Sequence, residues 1–499
     1  MKKKLLIIHP DDNVGVAIEP IIKDEHLEIA GLKFSSLAEI PSGHKIALRK
    51  INHGEGIIKY GMRIGSAQTN IEKGSWIHSH NLKTDLAGTL SYQYKHQEKN
   101  EKIEKPNLQT FLGYKRLNGR VGTRNEIWII NIVGCVNRSA ERIAQCANVQ
   151  FKHDNFDGVF AYSHQFGCSQ LGDDLKNTAA VLLGLAQNPN AGGVLVLGLG
   201  CENLQLDQFI GSIDSLDKNR LRYFNTQSVR DEEEEGLKKI EELFDTMKND
   251  KREETPISEL TIGVKCGGSD SLSGITANPL VGRITDELTQ SNGSVLQTEV
   301  PEMFGAEQLL LNRASSKIVF EKTVELINNF KNYFTTYNMP VYENPSPGNK
   351  AGGLTTLEEK SLGAIQKGGT AEITEVLDYG EQITQRGLVL VNAPGNDGVS
   401  STAMIASGAT LLLFTTGRGT PLGFPVPTIK ISTNTTLFEN KLNWIDFNAG
   451  GIADAEATFE QLTSDLLSLI VNVASGKVRT KNEINGYKEI AIWKNGITL

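Results

Sequence analysis

The sequence predicts an α/β protein in which a small β-rich domain is followed by α/β domains with mainly parallel sheets. Short strand-like runs separated by turns fill the first part of the chain. Further on, apolar runs of strand length alternate with segments of helix length, which is typical of βαβ units. The 49 glycines, against 15 prolines, fall in short clusters, as expected for many tight strand-to-helix turns.

The composition argues against a nucleic-acid-binding, membrane-spanning or disulfide-rich protein. A chain of 499 residues exceeds one ordinary hydrophobic core, so we expect several domains. Its net charge of −8 and mean hydropathy of −0.26 favour a soluble globular protein without the basic footprint of a nucleic-acid binder. No stretch of 18 apolar residues predicts a membrane span. Five cysteines form no disulfide framework and favour the reducing cytoplasm.

Residues 1–92 are predicted to form the β-rich domain. Its strand-like runs are at 5–8, 46–48, 56–60 and 76–80. Residues 93–110 follow; they are polar and charged without an apolar period, which predicts an exposed linker.

Residues 111–342 are predicted to form the first α/β domain. Its strand-like runs are at 127–133, 159–162, 194–199 and 260–264, and its helix-like segments are at 139–149, 174–187, 203–215 and 232–249. The acidic run 231–235 is best explained as a solvated helix N-terminus, because acidic side chains favour that end of the helix dipole.

Residues 343–499 are predicted to form a second α/β domain. The stretch 343–349 is rich in Pro, Gly and Asn and marks either a boundary or a long ordered loop. Strand-like runs follow at 388–392, 411–414 and 428–431, and an amphipathic helix is predicted at 454–474.

Four cysteines fall at or just past the ends of predicted strands: Cys135, Cys168, Cys201 and Cys266. The carboxyl ends of parallel strands border the ligand crevice of an open sheet, so these thiols could gather on one edge as metal or iron–sulfur ligands. The alternative is that cysteine is simply a small residue that fits beside glycine in a tight turn.

Histidines of the β-rich domain form a second candidate site. His78 and His80 are two residues apart, so on a strand both imidazoles point to one face and can address one metal ion. His44 and Lys45 in the same domain strengthen the case for a polar site. His-x-His also arises by chance.

Two arginine loops are suited to anions. Arg124 and Asn125 belong to a glycine-rich loop before a strand, and Arg418 lies between two glycines after one. A guanidinium on a flexible backbone binds a carboxylate or phosphate at two points. Neither a P-loop nor a complete dinucleotide-binding glycine pattern is present.

The loop after residue 266 combines hydroxyls, amides and a carboxylate, among them Asp270 and Ser273, ahead of a predicted helix. Free backbone N–H groups at such a helix start can receive an oxyanion. Helix capping alone accounts for only one of these side chains. His164 is a candidate proton carrier.

Taken in order, these motifs resemble the altronate/galactarate dehydratase family from end to end. The N-terminal motifs resemble its SAF-type β domain. The segments that carry the resemblance are 12–17, 43–48, 78–81, 119–125, 163–170, 198–203, 266–279, 298–307, 343–353, 393–397 and 416–421.

The resemblance implies removal of water from a sugar acid, giving a 2-keto-3-deoxy acid. For D-altronate, the closest match, the product is 2-dehydro-3-deoxy-D-gluconate, an intermediate of hexuronate breakdown. It also implies a divalent metal, usually Fe²⁺, with Mn²⁺ or an iron–sulfur cluster as alternatives. Galactarate is the second substrate candidate. The related sulfolactate lyases fit less well, because their SAF-like and catalytic parts are expected in separate subunits.

The chemistry assigns roles to the candidate residues. Loss of the C2 proton creates a dianionic enediolate whose charge a metal or cationic clamp must stabilise. The proton carriers are expected among His44, Lys45 and His164, with Asp270 orienting one of them or binding substrate. Expected substrate ligands are Arg124, Asn125, Ser273, Lys350, Asn396 and Arg418. Expected metal ligands are His78, His80, Cys135, Cys168, Cys201 and Cys266.

A non-catalytic protein that binds a sugar acid or a partner through its SAF-like domain is the alternative from another class. In either case we expect a small-molecule sugar acid as ligand and no nucleic acid or membrane partner. A homo-oligomeric assembly stays open.

Overall fold

The structure, a computed structural model, describes residues 4–95, 109–213 and 216–499. The N-terminal region consists of short antiparallel strands in three small sheets, ordered β1-β2-β5-β8, β3-β4 and β6-β7-β9. The strands are β1 (Leu5–Leu6), β2 (Val14–Ala17), β3 (His26–Ile29), β4 (Leu32–Ser35), β5 (Lys45–Ala47), β6 (Gly56–Lys59), β7 (Met62–Ala67), β8 (Trp76–Ile77) and β9 (Leu82–Lys83).

A four-stranded parallel sheet of order β13-β12-β14-β15 follows, beside an antiparallel sheet of order β11-β10-β16. The strands are β10 (Thr110–Lys115), β11 (Val121–Gly122), β12 (Glu126–Asn131), β13 (Gly158–Ala161), β14 (Ala191–Gly198), β15 (Leu221–Asn225) and β16 (Glu253–Pro256). The helices are α1 (Asn137–Gln150), α2 (Gly172–Ala186), α3 (Leu206–Gly211) and α4 (Glu232–Met247).

The rest of the chain builds a seven-stranded, fully parallel sheet of order β19-β20-β18-β17-β21-β22-β23. Its strands are β17 (Thr261–Cys266), β18 (Ser294–Gln297), β19 (Ile373–Leu377), β20 (Gly387–Val391), β21 (Leu411–Thr416), β22 (Thr428–Ser432) and β23 (Phe447–Asn448). Its helices are α5 (Ala277–Gln290), α6 (Glu307–Leu311), α7 (Lys317–Thr336), α8 (Pro347–Ala351), α9 (Leu357–Ala364), α10 (Asp397–Ala406), α11 (Thr435–Asn440), α12 (Phe459–Ala474) and α13 (Lys481–Ile484).

The predicted fold class is confirmed: a small β-rich N-terminal region precedes α/β units with parallel sheets. Residues 96–108, most of the predicted linker, lie outside the described residues. The seven-stranded sheet takes strands from both sides of the predicted boundary at residue 342, and the chain changes sheets between β15 and β17 instead. Helix α12 begins at Phe459 rather than 454, because Thr458 and Gln461 form a capping box there.

The strands of the two parallel sheets point in the same direction. Helices α2 and α10 pack side by side, and a Cβ on Gly184 would lie 2.4 Å from the carbonyl oxygen of Ala406. Both residues are near the C-terminal ends of their helices, and the amino ends of the sheets also meet, since the Thr123 hydroxyl before β12 donates to the Thr410 carbonyl before β21 at 2.9 Å. The carboxyl edges of both sheets are therefore on one side of the molecule. No helix among the described residues is long and apolar enough to cross a membrane.

The connections around β17 and β21 create a topological switch point. From β17 the chain passes through α5 to β18 on one side, whereas from β21 it continues to β22 on the other. Ligand crevices of open parallel sheets form where neighbouring connections diverge in this way. The carboxyl ends of β17 and β21 are therefore the first place to look for a site.

Candidate active-site crevice

A cavity of about 520 Å³ lies at this switch point. Its walls come from the turns after β17, β21, β22 and β23, from the end of α8, and from the N-terminal region. The polar side chains that line it are Ser42, Asp270, Arg418, Asn434, Thr435, Thr436, Asn440, Lys441 and Asp454. Two of the residues predicted from the sequence, Asp270 and Arg418, thus share one crevice although 148 positions separate them.

Asp270 is held firmly in the crevice wall. Its carboxylate accepts hydrogen bonds from the hydroxyls of Ser273 (3.0 Å) and Thr433 (2.9 Å) and from the Asn434 amide (3.2 Å). Burial raises the pKa of this carboxyl, and these hydrogen bonds oppose the rise. A fixed carboxylate with a raised pKa is suited to accept a proton from a bound substrate. Ser273 positions Asp270 and is itself buried.

Two cations line the same crevice. Arg418 is exposed at the end of β21, and the half-buried Lys441 follows α11. Gly268 approaches Arg418 closely: a Cβ on this glycine would lie 3.4 Å from that of Arg418. The crevice therefore combines positive charge with amides and hydroxyls, which suits an anionic polyol.

The N-terminal region closes one side of the crevice. Gly353, with φ +93°, lies so close to Gly43 that a Cβ on Gly353 would be 2.3 Å from the Gly43 carbonyl oxygen. The neighbouring Gly352 carbonyl accepts a hydrogen bond from the Ser271 N–H at 2.9 Å. The segment after α8 thus joins the N-terminal region to the turn after β17.

The histidines form a stacked group beside this segment. The rings of His44 and His78 are 5.0 Å apart, and their Nε2 atoms face the carbonyl oxygens of Ala351 (3.4 Å) and Lys350 (3.0 Å). The Trp76 indole N–H donates to His44 Nδ1 at 3.2 Å. Burial lowers both pKa values, that of His44 to about 4, so these imidazoles are neutral.

His78 and His80 do not lie on a strand as the sequence predicts, although both rings are near that of Trp76, with centroids 5.5 and 5.2 Å away. Strand β8 ends at Ile77, and residues 78–81 form a turn closed by hydrogen bonds from Asn81 N–H and Leu82 N–H to the His78 carbonyl, both 3.0 Å. The alternation of side chains along a strand therefore does not apply to them. His80 is exposed.

Lys45 lies in a buried ion-pair group rather than in the crevice. Its Nζ contacts Glu359 (2.8 Å), Thr355 and the Gly353 carbonyl, and Lys59 contacts the same carboxylate at 2.8 Å. Burial lowers the pKa of Lys45 to about 8, whereas the two lysines hold that of Glu359 at about 2 against the effect of its burial. Every Nζ proton of Lys45 already has an acceptor, so its contacts join the N-terminal region to α9.

Cys266 belongs to a second buried group, across the turn from the crevice. Cys266, Glu299 and Glu302 offer one ligand atom each, all within 4.8 Å, and are the one such set among the described residues. They form a possible metal site. Lysines surround it: Lys367 is 3.0 Å from both Cys266 Sγ and Glu299, and Lys360 is 2.8 Å from Glu302.

The charges of this group are balanced. Lys265 contacts Glu299 and also Asp397, so three lysines face three carboxylates. Burial raises the pKa of the Cys266 thiol to about 12, with Glu299 adding to the rise and Lys367 opposing it. The lysines hold the pKa of Glu302 at about 2 despite its burial.

Sequence reasoning assigned no role to Glu299, Glu302, Lys367 or Lys441. The sequence did offer evidence for Glu299 and Glu302, because both lie within segment 298–307, which resembles the family. Glu299 also has φ +67°, a left-handed conformation that is uncommon for a residue other than glycine. Lys367 and Lys441 carry no such signal.

Arg124 and Asn125 lie at the wrong edge for substrate binding. They precede β12 and so stand at its amino end, away from the crevice. Arg124 is 1% exposed and pairs with Glu483 at 2.6 Å, while Asn125 bonds the backbone of Asn155. Their hydrogen-bonding groups hold the structure together.

The other predicted residues are dispersed. His164 is buried, with Nε2 2.6 Å from the Asn131 carbonyl and Nδ1 accepting from Phe166 N–H, so it has no free nitrogen for proton transfer. Asn396 caps α10 by accepting from Val399 N–H. Lys350 is half-buried on α8. The four thiols divide between the sheets: Cys266 ends β17, whereas Cys135, Cys168 and Cys201 lie in turns that follow strands of the four-stranded sheet.

Comparison with known proteins identifies the family. The model of the altronate/galactarate dehydratase SAF domain matches residues 3–85. That of the D-galactarate dehydratase/altronate hydrolase second domain matches 113–248, and that of the D-galactarate/altronate dehydratase C-terminal domain matches 257–498. The chain belongs to the altronate/galactarate dehydratase family.

Relatives in this dehydratase family cover the whole chain. The chain is 48% identical to altronate dehydratase of Bacillus subtilis (strain 168) over 100% of both proteins. It is 45% identical to altronate dehydratase of Escherichia coli (strain K12) over 99% of both. It is 36% identical to the L-threo-forming galactarate dehydratase of the latter organism, over 97% of this chain and 96% of that protein. The three matched segments correspond in turn to the N-terminal strands, the four-stranded sheet and the seven-stranded sheet.

Proposed function

We propose that the protein is an altronate dehydratase, a hydro-lyase that converts D-altronate to 2-dehydro-3-deoxy-D-gluconate. One observation carries the proposal: a polar crevice at the switch point joins a fixed carboxylate, Asp270, to the cations Arg418 and Lys441. The similarity of the whole chain to two altronate dehydratases supports the choice of substrate over galactarate.

Binding comes first. The Arg418 guanidinium and the Lys441 ammonium bind the carboxylate of the aldonate, while amide and hydroxyl side chains such as Asn434 and Thr436 bind its hydroxyl groups. The buried Ser269 hydroxyl, between Cys266 and Asp270, has no hydrogen-bond partner among the described residues, which supports a polar ligand at this turn.

Proton transfer follows. Asp270 takes the proton from C2 and leaves an enediolate. The electron pair of the broken C–H bond then forms the C2–C3 double bond as the 3-hydroxyl leaves, and the departing hydroxide takes the proton back from Asp270 to become water. The resulting enol then rearranges to the 2-keto product. We assign the base role to Asp270 because its carboxylate lines the crevice, whereas His164, His44 and Lys45 are not part of the crevice lining.

A divalent ion is part of the proposal. The thiol of Cys266 and the carboxylates of Glu299 and Glu302 fit such an ion in ligand type and spacing, and we propose Fe²⁺ there, with Mn²⁺ as the alternative. When bound, the ion supplies positive charge against the negative charge of the enediolate. The turn 266–270 connects this set to Asp270.

The substrate assay tests the function itself. Protein loaded anaerobically with Fe²⁺ is incubated with D-altronate or galactarate, and the 2-keto-3-deoxy acid is measured. We expect kcat/KM for altronate to exceed that for galactarate at least tenfold. Binding of altronate without product would support the non-catalytic alternative, and a preference for galactarate would replace the substrate.

Replacing the base gives the sharpest test of the site. We expect Asp270→Asn to lower kcat at least about 100-fold, because the amide cannot take the C2 proton. Because burial raises the pKa of Asp270, wild-type kcat/KM should fall on the acid side at a pH above the ordinary carboxyl range. The residual activity of the variant should not show this fall at acid pH.

The control is Asp173→Asn, a change at an exposed carboxylate on α2. It should leave the rate and the pH profile unchanged. If Asp270→Asn kept wild-type activity and the same fall of kcat/KM at acid pH, Asp270 would have no part in the mechanism.

A further inference from the structure

Three exposed cysteines lie on neighbouring strand ends of the four-stranded sheet. Cys168 follows β13, Cys135 follows β12 and Cys201 follows β14, and these strands are adjacent in the order β13-β12-β14. Adjacent strands are about 4.8 Å apart, so the three thiol-bearing turns emerge side by side at one edge. The sequence predicts these thiols as metal ligands, but the dehydratase mechanism proposed above does not use them.

The turns also contact one another directly. Gly134 N–H donates to the Phe166 carbonyl at 2.9 Å, which joins the turn of Cys135 to that of Cys168. Leu204 N–H donates to the Gly167 carbonyl at 3.1 Å, which joins the turn of Cys168 to that of Cys201. A hydrogen bond of 2.7 Å from Ser169 N–H to the Asn203 side chain reinforces this second contact.

Each of the three cysteines directly follows a glycine. A Cβ on Gly167 would lie 1.9 Å from the Ile132 carbonyl oxygen, and one on Gly134 would lie 2.7 Å from that of His164. Gly200 has φ +126°. These glycines allow the turns to approach closely while the thiols remain on the outside.

Polar groups at this edge point to a ligand. The Gln227 side-chain N–H donates to Cys201 Sγ at 3.5 Å, the kind of hydrogen bond that stabilises a thiolate ligand. The side chain of Gln170, 2% exposed and two residues after Cys168, has an Nε2 group without a hydrogen-bond partner among the described residues. A buried amide donor without an acceptor is costly unless a ligand accepts from it.

The spacing of the three sulfurs does not suit a single tetrahedral ion. Three thiolates on one tetrahedral Zn²⁺ lie about 3.8 Å apart, since each Zn–S bond is about 2.3 Å. The described residues contain no set of three cysteines within 4.8 Å of one another. In an iron–sulfur cluster each thiolate binds a different iron, so the ligand sulfurs are farther apart.

We propose that Cys135, Cys168 and Cys201 bind a [4Fe–4S] cluster, separate from the ion proposed at Cys266. Each thiol loses its proton as it binds one iron. Three protein ligands leave the fourth iron open to solvent, where it takes water or an oxygen of a small hydroxy acid. The site is on the same side of the molecule as the crevice but belongs to the other sheet.

Anaerobic reconstitution with equal amounts of Fe²⁺ and Fe³⁺, the two oxidation states that the oxidised cluster contains, and with sulfide tests the proposal. The full-length wild-type chain should retain about four iron and four sulfide after desalting, with the broad visible absorption and the dithionite-reduced paramagnetic signal of a cluster. The triple variant Cys135→Ser/Cys168→Ser/Cys201→Ser should retain no sulfide. Because all three thiols are exposed, its thermal unfolding midpoint without cluster should equal that of the wild type.

Two matched variants complete the experiment. Cys146→Ser changes an exposed cysteine on α1 outside the three turns and should retain the cluster. Cys266→Ser should also retain it, which separates this site from the ion of the proposed function. A colourless wild-type protein, retention of iron without sulfide, or an unchanged cluster in the triple variant would overturn the proposal. None of these readouts depends on dehydratase activity.

Discussion

Arg124 illustrates how position along a strand decides the role of a residue. Arg124 and Arg418 both lie in glycine-rich loops next to strands, and both suit an anion. Arg418 follows β21 and reaches the crevice, whereas Arg124 precedes β12 and is buried against Glu483. The same local chemistry is therefore open to a ligand at the carboxyl end of a strand and joins elements at the amino end.

The pair Arg124–Glu483 gives a prediction at the residue scale. We expect Glu483→Gln to lower the free energy of unfolding at neutral pH by about 3–5 kcal/mol, because it leaves the Arg124 charge buried without its partner. Urea unfolding measures the change. The matched control is Glu460→Gln, which breaks a largely exposed pair with Arg283 and should leave the free energy of unfolding close to that of the wild type.

The same pair predicts a dependence on pH. The Arg124 guanidinium lowers the pKa of Glu483 to about 2 in the folded chain, against the effect of burial, from an ordinary value of 4.5. A lowered folded-state pKa stabilises the protein above the ordinary value, and the benefit is lost as the pH falls from about 4.5 toward 2. The difference between wild type and Glu483→Gln should shrink over that range. A constant difference would contradict the assignment.

At the scale of elements, the segment after α8 sets the shape of the crevice. Ser346 and Asn349 form a capping box that starts this short helix, and the glycines at its end meet both the N-terminal region and the turn after β17. The stretch 343–349, ambiguous in the sequence between a boundary and an ordered loop, is an ordered part of the seven-stranded unit.

Gly353→Ala tests that contact. Its Cβ would meet the Gly43 carbonyl at 2.3 Å with φ +93°, so we expect a loss of about 1–3 kcal/mol in stability. Because the N-terminal region lines the crevice, KM for altronate should also rise at least tenfold. Thermal unfolding and steady-state kinetics measure the two effects.

Gly348→Ala is the control within the same helix. Gly348 is exposed, and a Cβ at this position would have open space, with its nearest neighbouring atom 4.0 Å away. Alanine should therefore leave KM unchanged and the stability equal or slightly higher. Equal KM values for both variants would show that the close approach at Gly353 does not shape the site.

At the scale of the whole molecule, a buried charge group joins the N-terminal region to the rest. Lys45 from β5 and Lys59 from β6 both contact Glu359 on α9, and all three side chains have no solvent exposure. A nearby contact links Thr84 to Glu358 at 2.8 Å. The crevice is complete only while these contacts hold the N-terminal region in place.

Glu359→Gln should therefore weaken the contact between the N-terminal region and the rest of the chain. Two lysines would stay buried without a carboxylate, which costs about 3–5 kcal/mol and is relieved if the N-terminal region detaches. We expect faster limited proteolysis after the N-terminal region and loss of activity. Glu72→Gln, which breaks an exposed pair with Lys50 in the same region, should change neither. Unchanged proteolysis of Glu359→Gln would show that the group does not hold the region.

The sequence alone determined the local structure and the family. Alternating apolar runs, glycine turns and capping side chains act over a few residues, so strands such as β12 and β21 and helices such as α4 lie close to their predicted positions. The acidic run 231–235 forms the helix N-terminus that the sequence predicts, and the Asp231 side chain caps α4. Asp270 and Arg418 were found for the same reason: each follows a strand that its own neighbours specify.

The tertiary structure decided which loops meet. Neither the order of strands in a sheet nor the edge that a loop occupies follows from local pattern, because both depend on pairing between distant segments. Thus the four strand-end cysteines divide between two sheets, Arg124 lies at the opposite edge from Arg418, and Lys45 is enclosed by Glu359. Burial and charge then fix what each group can do, since an imidazole or ammonium nitrogen that already has a partner for its lone pair and for each proton has none left for a substrate.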